Sequence, residues 1–247
     1  MLRFLCCCCA SGEISDDERE PLLNPRPSDL NGAGSARQTR PAHSDAQTVK
    51  RIGRLVMRRV CVSELDQRFT DMAETFNEQH ERYEAMVRHI RNLRQSYGCN
   101  HNDTLALAEC VGTIRDEHEA KFRVSLKMKG YDFSLNVAPV DESEEEPLPP
   151  HLHLALEEVK GISESAKATI SKGTTLQELI SWLLRSKEQM AEQVKGAAAT
   201  YQEQGRLYEN LEENLNEVRR AKELSLEYKQ RAGEVLTEAA QIAGASV

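Results

Sequence analysis

Four adjacent thiols, Cys6, Cys7, Cys8 and Cys9, follow Leu2, Arg3, Phe4 and Leu5 at the start of the chain. Cysteines beside side chains that enter a membrane interface are candidate acceptors for S-palmitoylation. Leu2, Phe4 and Leu5 suit the interface, and Arg3 suits anionic headgroups. One acyl chain holds a protein only marginally on a bilayer, whereas two or more hold it stably, so several neighbouring acceptors have a physical purpose. Two other readings compete: a minimal secretory signal peptide with Phe4 to Ala10 as its apolar region, and cysteines that stay unmodified. The remaining cysteines, Cys61, Cys99 and Cys110, lack zinc-ligand spacing, and the odd count of 7 points to reduced, cytosolic surroundings. Phe4 to Ala10 is far shorter than the ~18 residues of a membrane span.

A second candidate site follows directly. Ser15-Asp16-Asp17-Glu18-Arg19-Glu20-Pro21-Leu22-Leu23 places paired leucines after an acidic cluster in a polar stretch with little reason to fold. The segment resembles the acidic-dileucine sorting signal read by clathrin adaptor complexes, with Glu18 at the acidic position and Leu22 with Leu23 as the hydrophobic pair. The two leucines would fill an apolar pocket while the acid meets a basic patch. Ser15, followed by three acids, and Ser143, followed by three glutamates, resemble acidophilic kinase sites. Phosphate at either would add negative charge to an already acidic segment.

Cysteines, an acidic run, Leu22-Leu23-Asn24-Pro25 and Leu30-Asn31-Gly32-Ala33 together resemble the lipidated anchor segment of the Ragulator membrane-anchoring subunit. The resemblance covers about the first 33 residues and implies delivery to late endosomes and lysosomes, peripheral on the cytosolic face. One departure is informative. That family begins Met-Gly-Cys-Cys and is myristoylated, whereas Leu2 here accepts no myristate, so first membrane contact must come from elsewhere. Val49 to Val60 supplies a candidate: Lys50, Arg51, Arg54, Arg58 and Arg59 occur without an acid. On a helix, Val49, Ile52, Val56 and Val60 would share a face opposite Arg51, Arg54 and Arg58. The bland alternative is a basic first turn of the next helix, packed on the protein; Gly53 weakens either helix.

Other chemistry is not signalled. No P-loop, dinucleotide fingerprint, zinc spacing or nucleophile elbow is present, so the chain is read as a non-enzyme with no cofactor and no metal site. A net charge of -8 disfavours nucleic acid as a partner.

The elements that would position these sites read as helices. All 8 prolines lie between Pro21 and Pro41 or between Pro139 and Pro150. Val62, Leu65, Phe69, Met72, Phe76, Gln79, Tyr83, Met86, Ile90, Leu93 and Tyr97 alternate by three and four, with Gln79 as the polar interruption. Such a stripe, on a helix of ~54 Å, requires a cover. After Gly98, Asp103 is expected to cap a second helix carrying Leu107, Val111, Ile114, His118 and Phe122, forming an antiparallel αα-hairpin with the first. His118 reads as a packed or rim histidine, because no ligand partner stands at helical spacing. Tyr131, Phe133, Leu135 and Val137 alternate like a strand without an evident pairing partner, expected to dock on the helices or on a partner's sheet edge.

In the C-terminal part, a short helix over Leu152 to Ile170 is expected to break at Gly173. A capping box of Thr175 with Glu178 would then open a long helix running to Ile242, with a slip near Ala221 to Leu224. Gly196 to Ala199 suggests close helix approach, and Trp182 suits either a partner interface or the core.

The fold class expected is all-α: an elongated helical hairpin or coiled-coil body behind a disordered tail. Its parts are a targeting tail over 1–48, a helical hairpin over 49–129, a strand-like segment with an acidic, proline-rich linker over 130–150, and C-terminal helices over 151–247. The function expected is a lipid-anchored coiled-coil scaffold or adaptor on endosomes or lysosomes, organising protein complexes or protein transport. Its expected state is an oligomer or a subunit of a hetero-complex. The competing functions are a regulator of a small GTPase and a vesicle tether engaging clathrin adaptor complexes.

Overall fold

The most regular apolar stripe of the sequence folds as helix α1, Ser63–Ser96, in a computed structural model that describes residues 53–99, 107–141 and 147–244. After it come α2 (Leu107–His118), strands β1 (Phe122–Lys129) and β2 (Asp132–Pro139), and helices α3 (Pro150–Arg185), α4 (Lys187–Ala197) and α5 (Tyr201–Ala243). The result is a mostly helical, five-helix body with a small antiparallel β-hairpin. It is not the all-α coiled coil that the periodicity suggests.

Three long helices carry the body. α1 packs along α3, and α3 along α5. One apolar cluster joins Leu65, Phe69 and Phe76 of α1 to Leu176 and Leu183 of α3 and Leu211 and Leu215 of α5. A second joins Met86 and Leu93 to Leu152, Ala155 and Val159 and to Val235 and Ala239. The first half of α1 therefore meets the second half of α3, so these two helices are antiparallel, as are α3 and α5. The stripes that demanded a cover are buried by one another within a single chain.

Between the two clusters lies a polar layer. Gln79 is fully buried and donates from Nε2 to the carbonyl oxygens of Thr169 (3.2 Å) and Ser225 (3.3 Å), on the two neighbouring helices. Its Oε1 is buried without a hydrogen-bond partner. A buried amide of this kind weakens a core while penalising every misregistered packing of the helices.

Gly173 explains why α3 continues where a break is expected. A Cβ at this position would meet Gln79 Nε2 and stand 2.6 Å from Cγ and Cδ of Lys229. The glycine is an opening through which side chains of α1 and α5 cross α3. Buried Thr169 and Leu176 on either side keep the turn helical despite the ~1 kcal/mol helix-propensity cost of glycine. Gly173→Ala should consequently destabilise the protein by about 1–2 kcal/mol in urea unfolding, overpacking outweighing the propensity gain. Gly196→Ala is the control. Nothing lies within 4 Å of its Cβ, so that change should be neutral or stabilising by up to ~1 kcal/mol.

The break expected at residue 173 falls later. α3 ends at Arg185 and is capped by Ser186, and α4 turns into α5 through Ala198 and Thr200. Thr200 Oγ1 accepts from the amide of Glu203 at 3.2 Å while Glu203 Oε2 accepts from the amide of Ala199 at 2.9 Å. The reciprocal cap thus forms at Thr200 and Glu203; Thr175 and Glu178 lie inside α3. Gly196 and Ala197 end α4, and Ala198, packed against the first apolar cluster, leads with Ala199 into α5; the Gly196 position itself is open rather than at a close helix contact.

Two further expectations change. α2 lies against β1 and α5, with α1 covered chiefly by α3, so the first two helices do not form the expected hairpin. α2 stops at His118, and Phe122 opens β1 instead of extending the helical face. The strand near 133 has a partner after all: Phe122 pairs with Pro139, Leu126 with Leu135 and Lys129 with Asp132. Gly130, at φ 62, takes the first position of the two-residue turn, where a left-handed conformation favours glycine. Val124, Leu126, Phe133 and Leu135 are buried, and the Phe133 amide donates to Ser163 Oγ of α3 at 2.9 Å. The hairpin docks on the helices, one of the two expected destinations.

Candidate functional site

The segment leading into α1 forms neither helix nor strand over residues 54–60. The helical face that Val56 and Val60 would share does not form there: Val60 is fully buried and Val56 is 78% exposed. A row of polar side chains fixes the strap instead. Asn77 of α1 accepts from the Leu55 amide (2.7 Å) and donates to the Leu55 carbonyl (3.1 Å). Asn214 of α5 does the same for Arg58, at 2.8 Å in both directions. Asn210 donates to the Arg59 carbonyl at 2.8 Å, and the Val60 amide donates to Asp66 Oδ1 at 2.7 Å. A carboxamide satisfies an N–H and a C=O of one residue at once, as a neighbouring strand would.

Each such bond contributes about 0.5–1.5 kcal/mol net. Ordering costs about 1–2 kcal/mol per residue, so burial of Leu55 and Val60 must supply part of the stabilisation. Cys61 then turns the chain into α1 at φ 60, its thiol exposed.

Three of the five basic residues singled out from sequence lie on this strap. Arg54 pairs with Glu81 at 3.0 Å, and Arg58 pairs with Glu213. Both pairs are more than half exposed, so each contributes little to stability. Arg59 is exposed and held through its backbone. Sequence reasoning missed the clamp because Asn77, Asn210 and Asn214 are far from the strap in sequence and carry no local signal. Lys50 and Arg51 lie outside the described residues, as do Cys6, Cys7, Cys8, Cys9, Ser15, Glu18, Leu22, Leu23 and Ser143.

A second constellation stands where the ends of α1 and α2 meet the start of α3. Glu117, His118 and His151 each offer one ligand atom, all within 4.8 Å of one another. The His151 ring stacks on Tyr97 with centroids 4.3 Å apart, and Tyr97 meets His118 edge-on at 6.4 Å. Tyr97 Oη donates to the His151 carbonyl at 3.0 Å. Burial, and secondarily the Glu117 carboxylate, push the Tyr97 phenol up to about 12, so it stays a neutral donor. His151 Nε2 lies 2.9 Å from the Ser96 carbonyl oxygen, and Nδ1 lies 3.7 Å from Glu117 Oε2. His118 Nε2 is buried with no hydrogen-bond partner. The partner that helical spacing denied to His118 is supplied by another helix.

Trp182 is partly buried at the α1–α3 contact, with Arg68 Cζ 3.9 Å above its ring centroid. Between the buried thiols of α2 and the end of α1, burial and the neighbouring Cys99 raise the Cys110 pKa, leaving it a poor nucleophile. Among the described residues no helix is long and apolar enough to cross a membrane.

Comparison with protein-family models, with curated proteins and with solved structures found no match. What the fold and these sites define is a five-helix body with a docked β-hairpin, entered through a clamped, arginine-bearing strap.

Proposed function

We propose that this chain is a lipid-anchored helical scaffold on the cytosolic face of late endosomes or lysosomes. The observation that carries the reading is in the sequence: Cys6 to Cys9 and the Glu18, Leu22 and Leu23 signal all fall within the first 23 residues, so an anchor and an address share one tail. Lipid on several cysteines supplies residence, and the dileucine pair supplies destination through a clathrin-adaptor pocket.

The strap adds a mechanical reason to the same reading. Tension from a membrane-bound tail would reach the body through residues 54–60, where four polar side chains on α1 and α5 grip the backbone. Arg54, Arg58 and Arg59 would bring that side of the body to an anionic surface, with Lys50 and Arg51 adding basic charge just before them in the sequence. Because the helix stripes cover one another inside the chain, recruitment of other proteins falls to exposed apolar side chains. Tyr131 (66% exposed) and Tyr201 (89%) are amphipathic anchors of the kind enriched at interfaces.

Localisation tests the address. A Leu22→Ala, Leu23→Ala chain should stay bound to membranes and move towards the Golgi or plasma membrane, scored by imaging against compartment markers. Unchanged lysosomal residence would remove the sorting signal from the proposal.

A further inference from the structure

We propose that Glu117, His118 and His151 form a binding site for one divalent transition-metal ion of the zinc type, joining the end of α2 to the start of α3. Two imidazoles and a carboxylate are a donor set suited to zinc, cobalt or nickel, whereas magnesium and calcium favour oxygen donors.

Three observations converge on a metal rather than a hydrogen-bonded cluster. His118 Nε2 is buried without a partner, a cost that coordination through this lone pair would remove. His151 Nε2 is committed to the Ser96 carbonyl, which fixes the proton on that nitrogen and leaves the Nδ1 lone pair directed towards Glu117. A ring nitrogen donating to a backbone carbonyl is the usual outer support of a metal-ligating histidine. Third, the Tyr97 ring holds the orientation of His151 by stacking and meets His118 at its edge.

The geometry needs only a modest closure. Ligand atoms around a tetrahedral zinc are separated by about 3.3 Å. Those of this cluster lie within 4.8 Å of one another, and with His151 held by Ser96 and Tyr97 the closure falls to Glu117, whose side chain is 44% exposed and has room to turn inwards. That exposure leaves a fourth position for water. Bound metal would staple α2 to α3 beside the carbonyl end of α1 and stabilise the hairpin end of the body.

The test uses the full chain with Cys6 to Cys9 replaced by serine, which removes competing thiolates while leaving the body intact. After chelation, Zn2+ and Co2+ are titrated by calorimetry and absorption. One ion per chain is expected, with a Co2+ spectrum of nitrogen and oxygen ligation and no thiolate charge-transfer band. His151→Ala and Glu117→Gln each alter a half-exposed side chain, and circular dichroism should show both folded. Each should weaken Zn2+ binding by at least about 100-fold, the upper end of the effect of losing an outer-shell support. Undiminished binding in both folded variants, a thiolate band from Cys61, Cys99 or Cys110, or no Zn2+ uptake by the parent chain would overturn the proposal.

Discussion

Replacing Met86 with Asp should unfold the protein. Met86 is 1% exposed, on the face of α1 that meets α3 and the second apolar cluster. The substitution removes a buried thioether side chain, worth about 2–5 kcal/mol, and places a carboxylate where it is costly to leave unpaired. Together these rival the whole stability of a typical domain, roughly 5–15 kcal/mol. Helical circular dichroism should be lost, or the urea midpoint should collapse. Tyr131→Asp, at an exposed position of the hairpin turn, should change stability by no more than about 0.5 kcal/mol. A Met86→Asp chain that melts like its parent would mean that α1 does not bury this face within the chain.

That burial changes what the long stripes mean. Read from sequence, five heptads of apolar residues demand a cover, and partner chains were one way to provide it. The structure provides it from α3 and α5 of the same molecule. Periodicity states that a face must be buried; it does not state by what, because contacts distant in sequence leave no trace in local spacing.

Much of the architecture is nevertheless legible. The stripe from Leu65 to Leu93 becomes α1 because its spacing of three and four is sustained and free of proline. The polar interruption at Gln79 marks the buried polar layer at the middle of the bundle. Phe133 to Val137 reads as a strand because the alternation is strict, while its partner was lost by extending the helical face of α2 one turn to Phe122. Alternation of Phe122, Val124, Leu126 and Met128, followed by Gly130, was the signal for that partner.

Gly173 and the Thr200–Glu203 cap show the limit of local rules. Thr175 with Glu178 and Thr200 with Glu203 satisfy the same capping pattern, and only the second is used. What separates them is tertiary. At 173 the glycine admits side chains from two crossing helices, and buried neighbours hold the helix together; at 200 the chain reverses so that α4 can lie on α5. The strap clamp and the His118–His151 pairing were invisible for the same reason, each being assembled from residues on separate elements.

The expected anchor and address lie outside the described residues, and membrane attachment of a variant with Cys6, Cys7, Cys8 and Cys9 changed to serine tests the anchor, on which the account rests, most directly. Loss of all four acceptors removes every chain attached there, and each buried CH2 of a lipid contributes about 0.8 kcal/mol of membrane affinity. The parent chain should incorporate a palmitate analogue, lose it to hydroxylamine through thioester cleavage, and sediment with membranes. The four-serine chain should carry no label and move to the soluble fraction with its helical content unchanged. If it still sediments fully with membranes, the chain is not held by lipid on these cysteines, and the lipid-anchored scaffold is contradicted.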